Sequence, residues 1–442
     1  MEIKLSDHFD YKKLLRFTLP SIVMMVFTSI YGVVDGLFVS NFVDKTAFSA
    51  VNFIFPYPMM LGAVGFMFGT GGSALISKIL GEGDKPRAQR TFTQLLYISA
   101  AIGALISVIG YFTTEPVARL LGAEGEMLDS AVLYGRIIFM GMPAFILQYE
   151  FQSLFATAEK PKLGLYFTVG AGLTNMVLDA LLVAVFRFGL VGAAIATVMA
   201  QCVGGIAPLF YFARENSSLL RLVPARPDPK ALLQISFNGS SELLSNISMS
   251  LVSMLYNAQL LVYSGEDGIA AYGVLMYINF VFLSTFIGYA VGVSPVVSFH
   301  FGAGNRDELK SLRKRSIIIL IVASALMFLL AEALAYPLSY IYVGYDTALC
   351  EMTHRAFIIS SFSFLFSGVS IFVSSFFTAL NDGPTSALLS FARTIIFQVA
   401  AVLILPLFLG LDGIWLSVVV AELLSLILDL VFLGVFKKKY GY

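Results

Sequence analysis

Residues 315–341 read RSIIILIVASALMFLLAEALAYPLSYI, a run with one Arg at its start and a single acid, Glu332. A helix needs about 20 predominantly apolar residues to cross the hydrocarbon core of a bilayer, and this run is long enough to do so. Similar runs recur along the whole chain. We predict twelve membrane-spanning helices, near residues 14–40, 52–80, 91–113, 132–158, 162–186, 190–213, 232–262, 270–300, 315–341, 353–380, 385–408 and 411–436.

The composition indicates that lipid is the main solvent of this chain. Apolar residues make up 58% and charged residues 13% of the 442, and the mean hydropathy is +0.85. A soluble domain carries roughly a quarter charged residues, because its surface needs a polar shell. The predicted fold class is therefore an all-α integral membrane protein. A net charge of zero does not favour nucleic acid as a partner.

Signs of enzyme chemistry are missing from the sequence. It contains no GxSxG motif, phosphate-binding loop or group of metal ligands, and its two cysteines, Cys202 and Cys350, lie in unlike surroundings. We therefore expect a protein that is not an enzyme and has no cofactor, with no metal other than a transported or coupling ion. Nothing in the sequence indicates an obligate protein partner.

The basic residues fix an orientation. Of the 28 Lys and Arg residues, 22 fall in the segments that share a side with the N-terminus, and five fall on the other side. Cytoplasmic segments of membrane proteins carry an excess of Lys and Arg, so we predict that both termini are cytoplasmic. The remaining basic residue, Arg393, lies inside the eleventh predicted helix, and one of the acids of that half is its expected partner.

The chain divides into two parts at a polar segment. Residues 214–230 (RENSSLLRLVPARPDPK) hold three prolines and separate six predicted helices from six more. We predict an N-lobe over residues 1–213, a cytoplasmic linker over 214–230 and a C-lobe over 231–442. The two lobes are called the first and second half below.

The halves repeat each other at a constant offset of 221 in the numbering. Gly-Glu-Gly-Asp-Lys at 81–85 returns as Gly-Ala-Gly-Asn-Arg at 302–306. The stretch GLVGAAIAT at 189–197 returns as GLDGIWLSV at 410–418, and FATA at 155–158 returns as FFTA at 376–379. Six helices per half give both copies the same orientation, which is one of the two repeat plans of transporters and places the substrate between the lobes.

Carboxylates inside the membrane are costly, and they mark ion, proton or substrate sites by default. Glu332 and Asp429 lie near the ends of their helices, where they could reach the interface. Five acids are deeper: Asp35, Glu150, Asp179, Glu242 and Glu422. Glu150, Glu242 and Glu422 are candidate substrate or proton sites, and a buried, hydrogen-bonded structural role is the alternative for Glu242 and Glu422.

Four residues of the first half form a candidate cation or proton site. Asp35, Asp179 and Thr197 fall at similar depths, given a rise of about 1.5 Å per helical residue, and Asn175 shares a helix face with Asp179. Their oxygens suit a hard cation such as Na⁺ or, on a carboxylate, a proton. The equivalents of Asp35, Asn175 and Asp179 in the second half are Tyr256, Ile396 and Ala400, which favours a functional role over packing, the alternative interpretation.

Several of these segments together resemble the multidrug and toxic compound extrusion (MATE) family, in its bacterial drug-exporter branch. The matching segments are Leu19-Pro20, Val34-Asp35-Gly36, the glycine-rich loop at 81–83, Asn175 to Asp179, Gly189 to Thr197, Gly239 to Glu242 and Gly410 to Trp415. The resemblance implies two six-helix lobes around a central cavity and antiport of lipophilic, often cationic compounds against H⁺ or Na⁺. It also implies that Asp35, Asn175, Asp179 and Thr197 are the coupling site and that the protein lies in a bacterial inner membrane.

The main alternative is a lipid-linked oligosaccharide flippase of the same broader superfamily. Such a protein needs a basic cavity to hold a pyrophosphate group, and the deep part of this sequence offers Arg393 alone. The sequence therefore favours drug export, while the choice between H⁺ and Na⁺ stays open because the same oxygens serve both ions.

Overall fold

The computed structural model describes residues 3–42, 50, 51 and 53–442, and of these the side chains of 32–42 and 266 are left undescribed. Helices form the regular structure throughout the described ranges, which contain no β-strand. The predicted all-α fold class is confirmed.

In the first half, proline begins several of the helices. It stands in the first turn of α6 and α7, where a helix has no use for the missing N–H donor. A π-helical segment, π1 (Asp179–Val185), continues α7. The helices are α1 (Tyr11–Phe42), α2 (Pro56–Gly62), α3 (Val64–Gly81), α4 (Lys85–Leu120), α5 (Gly125–Met140), α6 (Met142–Thr157), α7 (Pro161–Leu178), α8 (Gly189–Gly205) and α9 (Ala207–Ala213).

The second half begins with a long element, α10, that Gly265 divides into two arms. Gly265 has φ 65° and ψ −149°, a conformation that interrupts the helix and that glycine adopts without strain. A second π-helical segment, π2 (Ala392–Phe397), follows α14. The helices are α10 (Pro229–Gly302), α11 (Arg306–Val343), α12 (Thr347–Ser361), α13 (Phe364–Ala379), α14 (Gly383–Phe391), α15 (Gln398–Ile404), α16 (Pro406–Leu409) and α17 (Leu411–Tyr440).

Eleven of the twelve predicted spans satisfy the length and hydropathy of a membrane crossing. Within the described ranges, nine spans have no sharp bend, and two are the bent pairs α5–α6 and α12–α13, with bends of 59° and 50°. The twelfth is the first arm of α10, residues 229–264, which is long enough to cross. Its hydropathy is lowered by polar residues such as Asn238, Glu242 and Asn246.

The two halves bend and turn at equivalent positions. The break in the α5–α6 span lies at Gly141, and the break in the α12–α13 span begins at Phe362, its equivalent at the offset of 221. Gly83 and Gly304, which the same offset relates, have φ of 86° and 67°, which glycine adopts without strain. The next residue in each copy accepts a backbone hydrogen bond and caps the following helix: Asp84 from Arg87, and Asn305 from Glu308.

The two halves contact each other backbone to backbone at the ends of α3 and α10. A methyl group at Gly81 would lie 2.0 Å from the carbonyl oxygen of Phe299. One at Gly302 would lie 2.1 Å from the carbonyl oxygen of Lys78. The two contacts are equivalent, because Gly81 and Gly302 are 221 positions apart, and so are Lys78 and Phe299. This is expected when two copies of one fold face each other across a pseudo-two-fold axis. A side chain at either glycine would separate the halves.

A second pair of contacts extends this seam along the helices. Gly71 on α3 would meet the backbone nitrogen of Gly239 at 2.8 Å if it carried a methyl group. In the related contact, Gly292 on α10 would meet Cα of Thr18 on α1 at 3.1 Å. The same offset connects the two contacts. We call these four contacts, made by α1, α3 and α10, the glycine seam.

The polar segment between the halves lies against α4. Residues 214–228 contain no helix. The Val223 backbone N–H donates to the Thr93 hydroxyl at 3.0 Å, and the Gln94 side chain donates to the Asp228 carbonyl at 2.9 Å. The segment is therefore fixed to the first half by hydrogen bonds, and the exact lobe boundaries remain a prediction.

The glycine seam leads to a prediction with a matched control. A methyl group at Gly239 would lie 1.8 Å from the carbonyl oxygen of Met67, so Gly239→Ala must push α3 and α10 apart. We expect the free energy of unfolding to fall by about 1–3 kcal/mol, which would be measured as a lower melting temperature of the purified protein. Gly273, on the same element, has no atom within 4 Å of the place a methyl group would take. Gly273→Ala should therefore leave the melting temperature unchanged or raise it. An equal fall in melting temperature in both variants would show that the close approach of α3 and α10 does not depend on Gly239.

Candidate functional site

The structure brings Asn175 and Asp179 together on one buried face. Asn175 lies in the last turn of α7, and Asp179 is the first residue of π1. They are 2% and 0% exposed, and they stand four positions apart, so they are neighbours on the helix surface. π-helical segments insert a residue into an α-helix and are frequent at functional sites. This face is where a change of helix geometry and a buried carboxylate coincide.

The amide oxygen of Asn175 has no hydrogen-bond donor among the described residues, although it is buried. A buried polar atom without a partner costs free energy, about 1–3 kcal/mol for a neutral group. Such an oxygen, one turn from a buried carboxylate, is suited to accept a hydrogen bond from a protonated group or to contact a cation. The burial and spacing of Asn175 and Asp179 are therefore compatible with the predicted cation or proton site.

Helix α1 packs against the same face of α7. A methyl group at Gly172, one turn before Asn175, would lie 2.5 Å from the ring of Phe27 and 3.2 Å from the ring of Tyr31. The close approach of the two helices therefore depends on this glycine. The backbone of α1 continues as a helix through position 35, one turn beyond Tyr31. The side chain of Asp35 lies outside the described residues, so its predicted place in the site stays a prediction.

Thr197 lies on α8, which packs against π1. The contact is close at Gly192, where a methyl group would lie 3.1 Å from the backbone of Leu182. The Thr197 hydroxyl is partly buried and donates to the Ala193 carbonyl of its own helix at 3.0 Å. Its oxygen keeps lone pairs for a further contact. Helices α1, α7 and α8 thus meet around the Asn175–Asp179 face.

Glu150 lies elsewhere in the first half, on α6. It is fully buried, and its carboxylate oxygens have no hydrogen-bond partner among the described residues. The Ser99 hydroxyl of α4 faces it, at a geometry short of a hydrogen bond. On its other side, Gly69 of α3 would bring a methyl group within 3.1 Å of the Glu150 Cα. Glu150 is thus held at the packing of three helices.

The partner of Arg393 is Glu422. The Arg393 Nε lies 2.9 and 3.1 Å from the two carboxylate oxygens, and a terminal nitrogen lies 2.9 Å from one of them. The side chains are 18% and 4% exposed, so the ion pair is largely buried. Glu422 is therefore occupied by a charge of the protein itself. Glu242, the other candidate acid of this half, is half-buried on the first arm of α10 and lies within electrostatic reach of Arg393.

Asp429 differs from the sequence expectation. Its place near a helix end predicts that it reaches the membrane interface, but it is 1% exposed and hydrogen-bonded inside the protein. The Ser370 hydroxyl of α13 donates to it, and Ser425 lies 3.4 Å away on its own helix. The prediction is wrong because distance from a helix end does not reveal a serine on another helix. Ser425, four positions before Asp429, is the local signal that a polar face continues inward.

The hydrogen bond to Asp429 leads to a prediction with a control on the same helix. Ser370→Ala removes a donor to a buried carboxylate, and we expect a loss of about 2 kcal/mol in the free energy of unfolding. Ser367 is equally buried but donates to the Ser363 carbonyl of its own helix, at 2.9 Å. Ser367→Ala should therefore lower the free energy of unfolding by less than Ser370→Ala does. Thermal unfolding of the two purified variants makes the comparison, and equal melting temperatures would show that the Ser370 bond contributes nothing.

A family model and known proteins match this chain over most of its length. The MatE family model matches residues 20–181 and 243–403, one segment in each half. The multidrug export protein MepA of Staphylococcus saprophyticus is 25% identical over 420 residues, which cover 93% of this chain and 91% of MepA.

Solved structures have the same fold. One is a crystal structure of a MATE protein in complex with MaL6, with a TM-score of 0.93, 22% identity and coverage of 98% of both chains. Another is the outward-facing conformation of a multidrug resistance MATE family transporter of the MOP superfamily. It has a TM-score of 0.93 and 21% identity, and covers 98% of this chain and 97% of that one. The twelve-helix fold class is confirmed, and the chain belongs to the MATE family of membrane transporters.

Proposed function

We propose that this chain is a multidrug efflux antiporter that exports lipophilic, often cationic compounds in exchange for H⁺ or Na⁺. The observation that carries the proposal is the buried Asn175–Asp179 face at the start of π1, packed against α1. Intramembrane carboxylates mark ion and proton pathways. The matching relatives from Staphylococcus are multidrug export proteins, which supports the same interpretation.

Helix α1 is the element that would couple the ion to the cargo. Phe27 and Tyr31 touch α7 next to Asn175, at one part of the helix. At another part of α1, Thr18 contacts the second half at the glycine seam. Ile22 contacts the second half nearby, where a methyl group at Gly288 would lie 2.5 Å from the Cα of Ile22. One helix therefore touches both the candidate ion site and the contact between the halves. Pro20 lies inside α1, where a proline removes a hydrogen bond and permits bending.

The proposed exchange follows from these contacts. A cation or proton bound at Asp179 and Asn175 neutralises the buried face and changes how α1 packs on α7. The change in α1 alters its contact with α10, so that occupancy of the ion site favours one arrangement of the two halves over the other. A ligand shifts such an equilibrium only by its difference in affinity for the two states. The ion site must therefore differ between the states, and α1 is what changes.

The cargo would bind between the halves, at Glu242, the candidate acid of the second half that is not held in an ion pair in the described part of the chain. Glu422 is paired with Arg393, whereas the carboxylate of Glu242 has no hydrogen bond among the described residues and is half-buried. A lipophilic cation gains from such a carboxylate and from aromatic faces. The chain would lie in a bacterial inner membrane with both termini cytoplasmic, with residues 1–213 and 231–442 as its two lobes.

The flippase alternative is disfavoured by the state of Arg393. A pyrophosphate group needs free cationic donors, and this guanidinium is engaged by Glu422 at two of its nitrogens. An anionic cargo would have to displace a buried carboxylate from it. Drug export needs no such displacement.

The coupling role of Asp179 is testable by ethidium efflux from proteoliposomes, with sodium and pH gradients imposed separately. Asp179→Asn keeps the size of the side chain but removes its charge, so we expect ion-driven efflux to fall at least about tenfold. The control is Asp429→Asn, which also removes a buried carboxylate but lies in the second half, and which should keep most of its efflux. Normal efflux by folded Asp179→Asn protein under both gradients would exclude the proposed site.

A further inference from the structure

The second half carries a cation of its own inside the membrane. Arg393 lies in π2, and its guanidinium contacts Glu422 of α17 through two nitrogens at 2.9 to 3.1 Å. A guanidinium remains charged at any physiological pH. Arg393 lies within the eleventh predicted membrane helix, away from the polar segments that hold the other basic residues. This group is not part of the proposed coupling site, and drug export as described above does not use it.

Three carboxylates share the field of this one cation. Glu422 is bound to it directly, while Glu242 on α10 and Asp429 on α17 lie within its electrostatic reach. The charged groups therefore come from three membrane-embedded elements. Tyr256, stacked on Tyr272 with ring centroids 5.1 Å apart, lies within electrostatic reach of Glu422. Acids outnumber the cation, so the removal of Arg393 would leave a group of carboxylates with no charge to balance them.

The equivalent helix of the first half carries a charged residue of the opposite sign. Each half has a π-helical segment in its fifth predicted helix: π1 begins with Asp179, and π2 contains Arg393. At the offset of 221, Arg393 corresponds to Gly172 and Glu422 to Gln201, so the ion pair has no counterpart in the first half. One half presents a carboxylate at this helix, and the other presents a guanidinium.

We propose that Arg393 is a tethered counter-cation that keeps Glu422 and Asp429 of the second half from binding a coupling ion. The ion then binds in the first half alone, so Arg393 determines how many cations are exchanged in each cycle. This part rests on the proposed function. The physical reason is that a carboxylate in a medium of low dielectric needs a cation close by. A covalently attached guanidinium supplies one that cannot leave, whereas Na⁺ or H⁺ would exchange. Arg393 acts here as a positioning residue that sets specificity.

A purely structural role is the competing explanation, and it makes a different prediction. A buried ion pair contributes little net stability compared with apolar residues of the same size, so stability alone does not explain its presence. If Arg393 only joins α17 to π2, its loss should lower stability without changing how many cations the protein binds. Cation binding is therefore the readout that separates the two roles.

The experiment counts cations bound by the full-length protein in detergent. Equilibrium dialysis with radioactive Na⁺ gives bound sodium, and potentiometric titration of matched samples gives bound protons at the same pH. We expect Arg393→Gln to bind about one more cation, Na⁺ and H⁺ taken together, than the wild type. Arg393→Lys, which keeps the charge, and the double variant Arg393→Gln with Glu422→Gln, which removes both charges, should match the wild type.

The outcomes distinguish this inference from the proposed function. An equal count in Arg393→Gln and the wild type overturns the counter-cation role. Adding Asp179→Asn should remove the first-half cation and leave the extra one in place. If Asp179→Asn changes nothing while Arg393→Gln still gains a cation, the coupling site is wrong but exclusion by Arg393 stands.

A second measurement serves if Arg393→Gln is unstable. A cation that binds the folded state raises the melting temperature as its concentration rises. The melting temperature of Arg393→Gln should therefore rise with NaCl or with acid more steeply than that of the wild type, with choline chloride as the salt control. Parallel curves for the two proteins would contradict the inference.

Discussion

A carboxylate inside a lipid-embedded protein must be balanced by a cation, a proton or hydrogen-bond donors, and the arrangement of this transporter depends on that constraint. In the second half, Arg393 pairs with Glu422, Ser370 donates to Asp429, and Glu242 lies within electrostatic reach of Arg393. In the first half, the buried Asp179 lies beside Asn175, whose amide oxygen has no donor among the described residues. The two halves of a duplicated fold thus carry different polar groups, and we propose that ion exchange takes place in the first.

The duplication also explains how the halves hold together. Contacts at Gly81 and Gly302 are copies of each other, as are those at Gly71 and Gly292, and in each case the close approach excludes a side chain. Because α1 takes part in the seam and also packs beside Asn175, the same helix joins the contact between the halves to the proposed ion site. We therefore propose α1 as the route by which ion binding would rearrange the halves.

The sequence predicts the features that depend on local pattern. Apolar runs give the spans, and the offset of 221 returns in the bends at Gly141 and Phe362 and in the turns at Gly83 and Gly304. The shared face of Asn175 and Asp179 follows from helical spacing alone. These predictions need no knowledge of which helices are neighbours.

Features that depend on contacts between distant helices are not predictable in this way. The partner of Arg393 lies on another helix, α17, and several acids are equally plausible by spacing. The hydrogen bond from Ser370 to Asp429 depends on how α13 packs against α17. The π-helical segments at Asp179 and Arg393 also carry no recognisable sequence signal, because an inserted residue in a helix is accommodated by packing.

We propose that occupancy of the Asn175–Asp179 face moves the two halves relative to each other. Spin labels at Lys85 and Arg306, exposed positions related by the offset of 221 at the end of the seam, report that movement as a distance. We expect this distance to change between Na⁺-free buffer at high pH and buffer with Na⁺ or low pH. The change should be absent in the Asp179→Asn variant. An equal change of distance in wild-type and Asp179→Asn protein would show that Asp179 does not control the movement of the halves.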